Sequence, residues 1–182
     1  MHALVVGGTG MLADVSLWLV KEGYHVSVVA RSRERMEQLI RRAPDIHQIT
    51  PLYVDYREGK KLREKIRQTV KENGEIDRAV LWIHSVAKDA FPIIVDEVSK
   101  AGKRWELFHI LGSSANLEEI REKIPPDDRY SYHQIQLGFV QEPSHSRWLT
   151  NQEIAQGVIQ ALQEKKPVKI IGVLTPWEKR PQ

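Results

Sequence analysis

A short apolar segment, a glycine-rich turn and a helical pattern follow one another without a break at Val5-Val6-Gly7-Gly8-Thr9-Gly10-Met11-Leu12-Ala13. This junction restricts the fold more than any other stretch of the chain. Residues 3–6 are apolar throughout, as a central strand buried on both faces requires. Met11, Leu12, Val15, Trp18 and Leu19 then trace one helical stripe, and Gly23 is placed to stop it. A strand feeding directly into a helix opens a parallel sheet with crossover helices, and the rest of the chain repeats the alternation. Further strands are predicted at residues 26–30, 49–54, 76–84, 105–111, 132–140 and 168–173, and helices at 33–42, 58–72, 91–101 and 151–163. Thr150 or Asn151 caps the last of these, and only a short helix, 117–124, fits before Pro125-Pro126. The expected architecture is α/β, a single doubly wound parallel sheet of about seven strands with helices on both faces. It occupies residues 1–174, and the Pro- and charge-rich residues 175–182 form a tail.

In this setting the glycine turn has the form of a Rossmann-type dinucleotide-binding junction. Gly7 permits the tight turn, and Gly10 lets backbone N–H groups approach a pyrophosphate at a helix N-terminus, where the dipole favours an anion. Ala13 takes the third small position, where helix meets strand. Gly7, Gly8, Thr9, Gly10, Met11 and Leu12 are the cofactor-binding residues expected of the turn. The competing reading is a glycine turn kept for packing alone. A second determinant lies at the end of the second strand, where NAD sites place a carboxylate on the ribose hydroxyls. This chain has Ala30-Arg31-Ser32-Arg33 instead. Guanidinium groups and a hydroxyl bind a 2′-phosphate through charge-assisted hydrogen bonds, whereas a carboxylate repels it. NADP is therefore expected in preference to NAD, held by Arg31, Ser32 and Arg33, while Arg35 reads as part of a solvated helix face.

Composition removes several other classes. The 182 residues include no cysteine, which excludes disulfides, thiolate catalysis and Cys-based zinc sites. The histidines lack HxH or HExxH spacing and the acids show no metal-loop pattern, so no metal is expected. No apolar run approaches the roughly 20 residues of a membrane-spanning helix. Residues 3–6 have neither a charged leader nor a cleavage site, and a cytosolic location is expected. The net charge of +3 is spread over segments such as 31–42 and 60–71, where bases and acids interleave. That pattern belongs to solvated helix faces rather than to a nucleic-acid footprint.

With these motifs the chain resembles a short-chain dehydrogenase/reductase, of the atypical kind with a GGTGxxG/A turn. The resemblance runs from Gly7-Gly8-Thr9-Gly10 to the last strand. It implies that Asp55, in Leu52-Tyr53-Val54-Asp55, meets the adenine, although an Asp there also suits a loop or helix cap. It implies a nicotinamide near Ser113 and Ser114 after the fifth strand, the alternative being a helix capped by Ser114 or Asn116. Leu137-Gly138-Phe139-Val140 resembles the end of the family's sixth strand.

The departures are equally specific. The family's reductases use Ser with a Tyr and a Lys four residues apart on a long helix, the Tyr donating a proton and the Lys lowering its pKa. Here Tyr132 is followed by Gln136 and Tyr130 by Gln134, and the helix before them is shortened. The fourth strand ends in Leu81-Trp82-Ile83-His84-Ser85 rather than an Asn-Asn-Ala-Gly turn. His84, Ser113 and Tyr132 remain as catalytic candidates, and His84 and Ser85 as cofactor contacts, a loop-bracing role for His84 being the alternative. The expectation is an NADP(H)-binding oxidoreductase passing hydride to or from a small organic substrate. The rival is a non-catalytic NADP(H) sensor or scaffold acting on a protein partner. A homodimer is the default expectation for assembly.

Overall fold

A computed structural model of the chain describes residues 1–181. The elements are β1 (His2–Val6), α1 (Ala13–Lys21), β2 (His25–Ala30), α2 (Arg33–Arg42), β3 (Ile49–Tyr53), α3 (Gly59–Asn73), β4 (Arg78–Trp82) and α4 (Ala90–Ser99). They continue with β5 (Trp105–Leu111), α5 (Leu117–Glu122), β6 (Tyr130–Leu137), β7 (Phe139–Gln141), β8 (Ser146–Trp148), α6 (Asn151–Glu164) and β9 (Val168–Ile171). Seven strands form one sheet in the order β3-β2-β1-β4-β5-β6-β9, and every pairing is parallel. This is the doubly wound α/β architecture that the alternation of patterns implied. Among the described residues, no helix is long and apolar enough to cross a membrane.

The uninterrupted apolar run of β1 is explained by its place at the centre of the sheet, where all five residues are buried. In register, Val5 lies between Val28 and Val80, and these side chains join the core under α1, α2 and α6. One residue on, Val6, Val29 and Leu81 face the opposite core, which α3 and α4 cover with Leu62, Ile66, Ile94 and Val98. Glu97, buried on α4, accepts hydrogen bonds from Arg63 and Arg67 of α3 and from Lys100, fastening the two helices together. A carboxylate so buried is tolerated because it is fully paired.

The chain departs from the expected elements at the sixth strand. Instead of running through residue 140, β6 ends at Leu137, and Phe139 turns away to start a hairpin of β7 and β8. The reason is a crossing with the segment after β9. Phe139 and Val173 exchange both backbone hydrogen bonds at 2.9 Å. A Cβ on Gly138 would stand 2.2 Å from the Val173 carbonyl oxygen, and one on Gly172 2.6 Å from that of Phe139. Two glycines let the backbones meet.

Between β5 and β6 the α-helix is the six-residue α5. Side chains of β6 hold this connection. Gln136 Nε2 donates to the carbonyls of Gly112, Ser113 and Ala115, and Gln134 Nε2 to that of Leu117. The tail residues Trp177–Lys179 form a single 3-10 turn, with the Arg180 guanidinium over the Trp177 ring.

Candidate functional site

The strand order reverses between β1 and β4, and beyond the C-terminal ends of β1 to β4 lies a cleft of about 820 Å³. Open α/β sheets bind ligands at such a reversal, and the volume suits a small molecule. Gly7, Thr9, Gly10 and Met11 line it from the β1–α1 turn. Gly7 has φ +89°, a conformation that favours glycine, and a Cβ there would lie 3.3 Å from Trp82 Cβ. The turn closes through the Gly10 N–H and the Gly7 carbonyl at 3.2 Å, while the Cβ position of Gly10 has no atom nearer than 3.9 Å. No side chain caps α1 at Leu12, so the helix N-terminus stays available to an anion. These residues fit a pyrophosphate.

Two residues of the same motif point elsewhere. Gly8 is buried, and a Cβ on it would meet Ser16 Oγ at 2.7 Å and Val28 Cγ1 at 2.8 Å. Gly8 thus lets the turn pack closely against both α1 and the sheet. Leu12 has no exposed surface and packs into the core beneath α1.

The rim beyond β2 is basic. Arg31, Ser32 and Arg35 line the cleft, together with the acidic Glu34. Ser32 caps α2 by accepting the Arg35 N–H at 3.2 Å, which sets the first turn of the helix against the cleft. Arg33 does not line the cleft, because its guanidinium lies over the Tyr53 ring, 4.3 Å from the centroid. Arg35 takes the place expected of Arg33. The sequence pattern places Arg35 on a solvated helix face; the spacing Ser32-x-x-Arg35, a cap and the third residue of its helix, is the signal that could have found it.

Asp55 stands beside this rim without lining the cleft. Hydrogen bonds from the Arg57 side chain, then from its backbone N–H, hold the carboxyl at a pKa of about 2. Val54 and Tyr56, its neighbours, do line the cleft. Sequence reasoning missed Tyr56, which carries no motif of its own. At the end of β4, Trp82 and His84 complete the wall, their rings edge-on at 5.4 Å, and the His84 N–H donates to the Tyr56 hydroxyl at 3.4 Å. Ser85 is exposed in the following turn and does not line the cleft.

The remaining catalytic candidates lie outside the cleft. Ser113 sits two residues past the end of β5, its carbonyl held by Gln136. Asn116, not a serine, caps α5 by accepting the Glu119 N–H. Tyr132 pairs with Leu107 inside the sheet, four residues before Gln136 and hence about 13 Å short of the C-terminal edge. Its hydroxyl and His109 Nδ1 share a hydrogen bond at 2.9 Å.

No protein-family model matches this sequence, and no curated protein matches it. Solved structures match over nearly the whole chain. A short-chain dehydrogenase from Bacillus anthracis superposes with a TM-score of 0.73 at 13% identity, covering 94% of this chain and 94% of that one. A short-chain dehydrogenase/reductase titled glucose/ribitol dehydrogenase, from Brucella melitensis, gives 0.71 at 13% identity, with 94% of each chain covered. The F189W form of actinorhodin polyketide ketoreductase, solved with NADPH, gives 0.70 at 14% identity, over 94% of this chain and 95% of that one.

The fold is that of the short-chain dehydrogenases/reductases. At these identities the likeness is one of backbone. On that backbone the cleft draws its lining from β1 to β4 and the turns that follow them. The pairs Tyr130–Gln134 and Tyr132–Gln136 both lie on β6, with the glutamines engaged in holding the β5–β6 connection.

Proposed function

We propose that this protein binds NADP(H) in the cleft at the β1–β4 reversal and acts as an oxidoreductase of the short-chain dehydrogenase/reductase type. One observation carries the reading: the glycine turn and the basic residues Arg31 and Arg35 face the same cleft. The uncapped end of α1 suits the pyrophosphate, and the arginines with Ser32 suit a 2′-phosphate. The structural neighbours include a ketoreductase solved with NADPH, which supports the cofactor class. When bound there, the dinucleotide would supply the hydride chemistry for reduction of a substrate carbonyl. His84, on the cleft wall, is the residue proposed to hold the proton that the carbonyl oxygen then takes. Ser113, at the same sheet edge, is proposed as a substrate contact.

A second reading, a non-catalytic NADP(H) sensor acting on a protein partner, is favoured by one specific feature. Tyr132 is committed to His109 within the sheet and has no lysine beside it. The cofactor test is a titration with NADPH and NADH followed by tryptophan fluorescence, since Trp82 lines the cleft. NADPH is expected to bind more tightly, and Arg31→Glu to weaken it about tenfold or more while NADH changes little. Equal losses for the two nucleotides would remove Arg31 from the 2′-phosphate site. NADPH consumption with a panel of small carbonyl compounds then separates the readings, with turnover lost in His84→Ala under the first and absent altogether under the second.

A further inference from the structure

Arg57 lies outside the cleft, yet it controls a charge on the rim. Its backbone N–H donates to Asp55 Oδ1 at 3.0 Å, its Nε to Oδ1 and Oδ2 at 3.1 and 3.0 Å, and its Nη2 to Oδ2 at 2.6 Å. Arg31 Nη1 stands 3.8 Å from the same Oδ2, within ion-pair reach but beyond a hydrogen bond. The Asp55 side chain is 17% exposed, against 71% for Arg31, so the carboxylate is the fixed partner and Arg31 the movable one. An Asp55 carboxylate without Arg57 would draw Arg31 to itself and oppose an incoming phosphate. With Arg57 in place its lone pairs are occupied. Removing Arg57 also lowers the positive charge beside the cleft by one.

We propose that Arg57 is a positioning residue for NADP specificity: by saturating Asp55 it leaves Arg31 free to take the 2′-phosphate. The inference rests on the NADP(H) reading above and assigns Asp55 a role other than meeting the adenine. It is tested by dissociation constants for NADPH and NADH at low ionic strength, where exposed charges are least screened, in the wild type, Arg57→Gln, Asp55→Asn and the double variant. Arg57→Gln is expected to weaken NADPH about three- to fivefold, the scale of an exposed charge pair, and to leave NADH unchanged. Asp55→Asn added to it is expected to restore NADPH binding, because the carboxylate that captures Arg31 is gone. A purely structural role in the loop moves both nucleotides together and gives no rescue, which would overturn the inference. NADPH preference retained by the wild type but unaffected by Arg57→Gln would overturn it while leaving the NADP(H) reading intact. A wild type with no preference for NADPH would overturn both.

Discussion

Tyr132 and His109 share a buried hydrogen bond, the phenol oxygen lying 2.9 Å from Nδ1. Burial among Phe91 and the strands lowers the His109 pKa to about 4, and burial raises that of Tyr132 to about 12. Neither group changes charge near neutral pH. The pair does couple stability to pH. An imidazole whose folded pKa lies below its unfolded 6.5 stabilises the fold above 6.5 and loses that contribution as pH falls towards 4. His2 and His25 act in the same direction, each pushed down first by desolvation. Urea unfolding should therefore show stability falling from pH 7 to 5, before the carboxylates titrate, and His109→Asn should remove on the order of 1–2 kcal/mol of that fall. An unchanged fall in the variant would mean that His109 is protonated freely in the fold. At this scale the sequence was an uneven guide. The turn residues Gly7 and Gly10 were readable because one strand and one helix define their setting. Arg35 and Arg33 differ only in which way a helical first turn points them, and that is decided by the Tyr53 ring from another strand.

Elements followed from periodicity wherever one face was buried and the ends carried local signals. The Thr150 capping box at α6 is such a signal. β6 was misjudged because alternation reports burial, not hydrogen-bond partners. Residues 130–139 are mostly buried, yet the ladder partner changes from β9 to the oppositely directed Val173 between Gly138 and Phe139. Nothing within ten residues encodes that crossing except Gly138 itself. Gly138→Ala forces a methyl group to within 2.2 Å of a backbone oxygen, so the strand and the segment after β9 must separate. A loss of roughly 1–3 kcal/mol is expected in equilibrium unfolding, the cost of overpacking a tight site. A neutral substitution would show that the hairpin can shift without breaking its pairing. The short α5 was legible from Pro125-Pro126, but the role of the glutamines was not. Gln136, four residues after Tyr132, serves three carbonyls of the connection that α5 shortens.

Across the whole molecule, the cleft ties together the ends of four strands that are far apart in sequence, residues 7, 30, 54 and 82 among them. A ligand there bridges both halves of the doubly wound sheet and binds only when they are assembled, so it must stabilise the fold. At a hundredfold excess over its dissociation constant, NADPH is expected to add about 2.7 kcal/mol. For a chain of this length that amounts to a rise in Tm of about 5–10 °C, with a smaller rise from NADH at equal concentration. Hydrogen exchange then reports how far along the sheet edge the ligand reaches. The oxidoreductase reading expects slowed exchange after β1, β2, β3 and β4 and also at Gly112–Ala115 beyond β5, because a nicotinamide reacting between His84 and Ser113 reaches both strand ends. Protection confined to the first four strand ends would mean that the nicotinamide is not gripped on the β5 side. Hydride transfer would then have no fixed geometry, since a reacting centre has to be held within about 3–3.5 Å of its partner. In that case the sensor reading would account for the whole molecule better, with the open edge at β5 and β6 left for another protein.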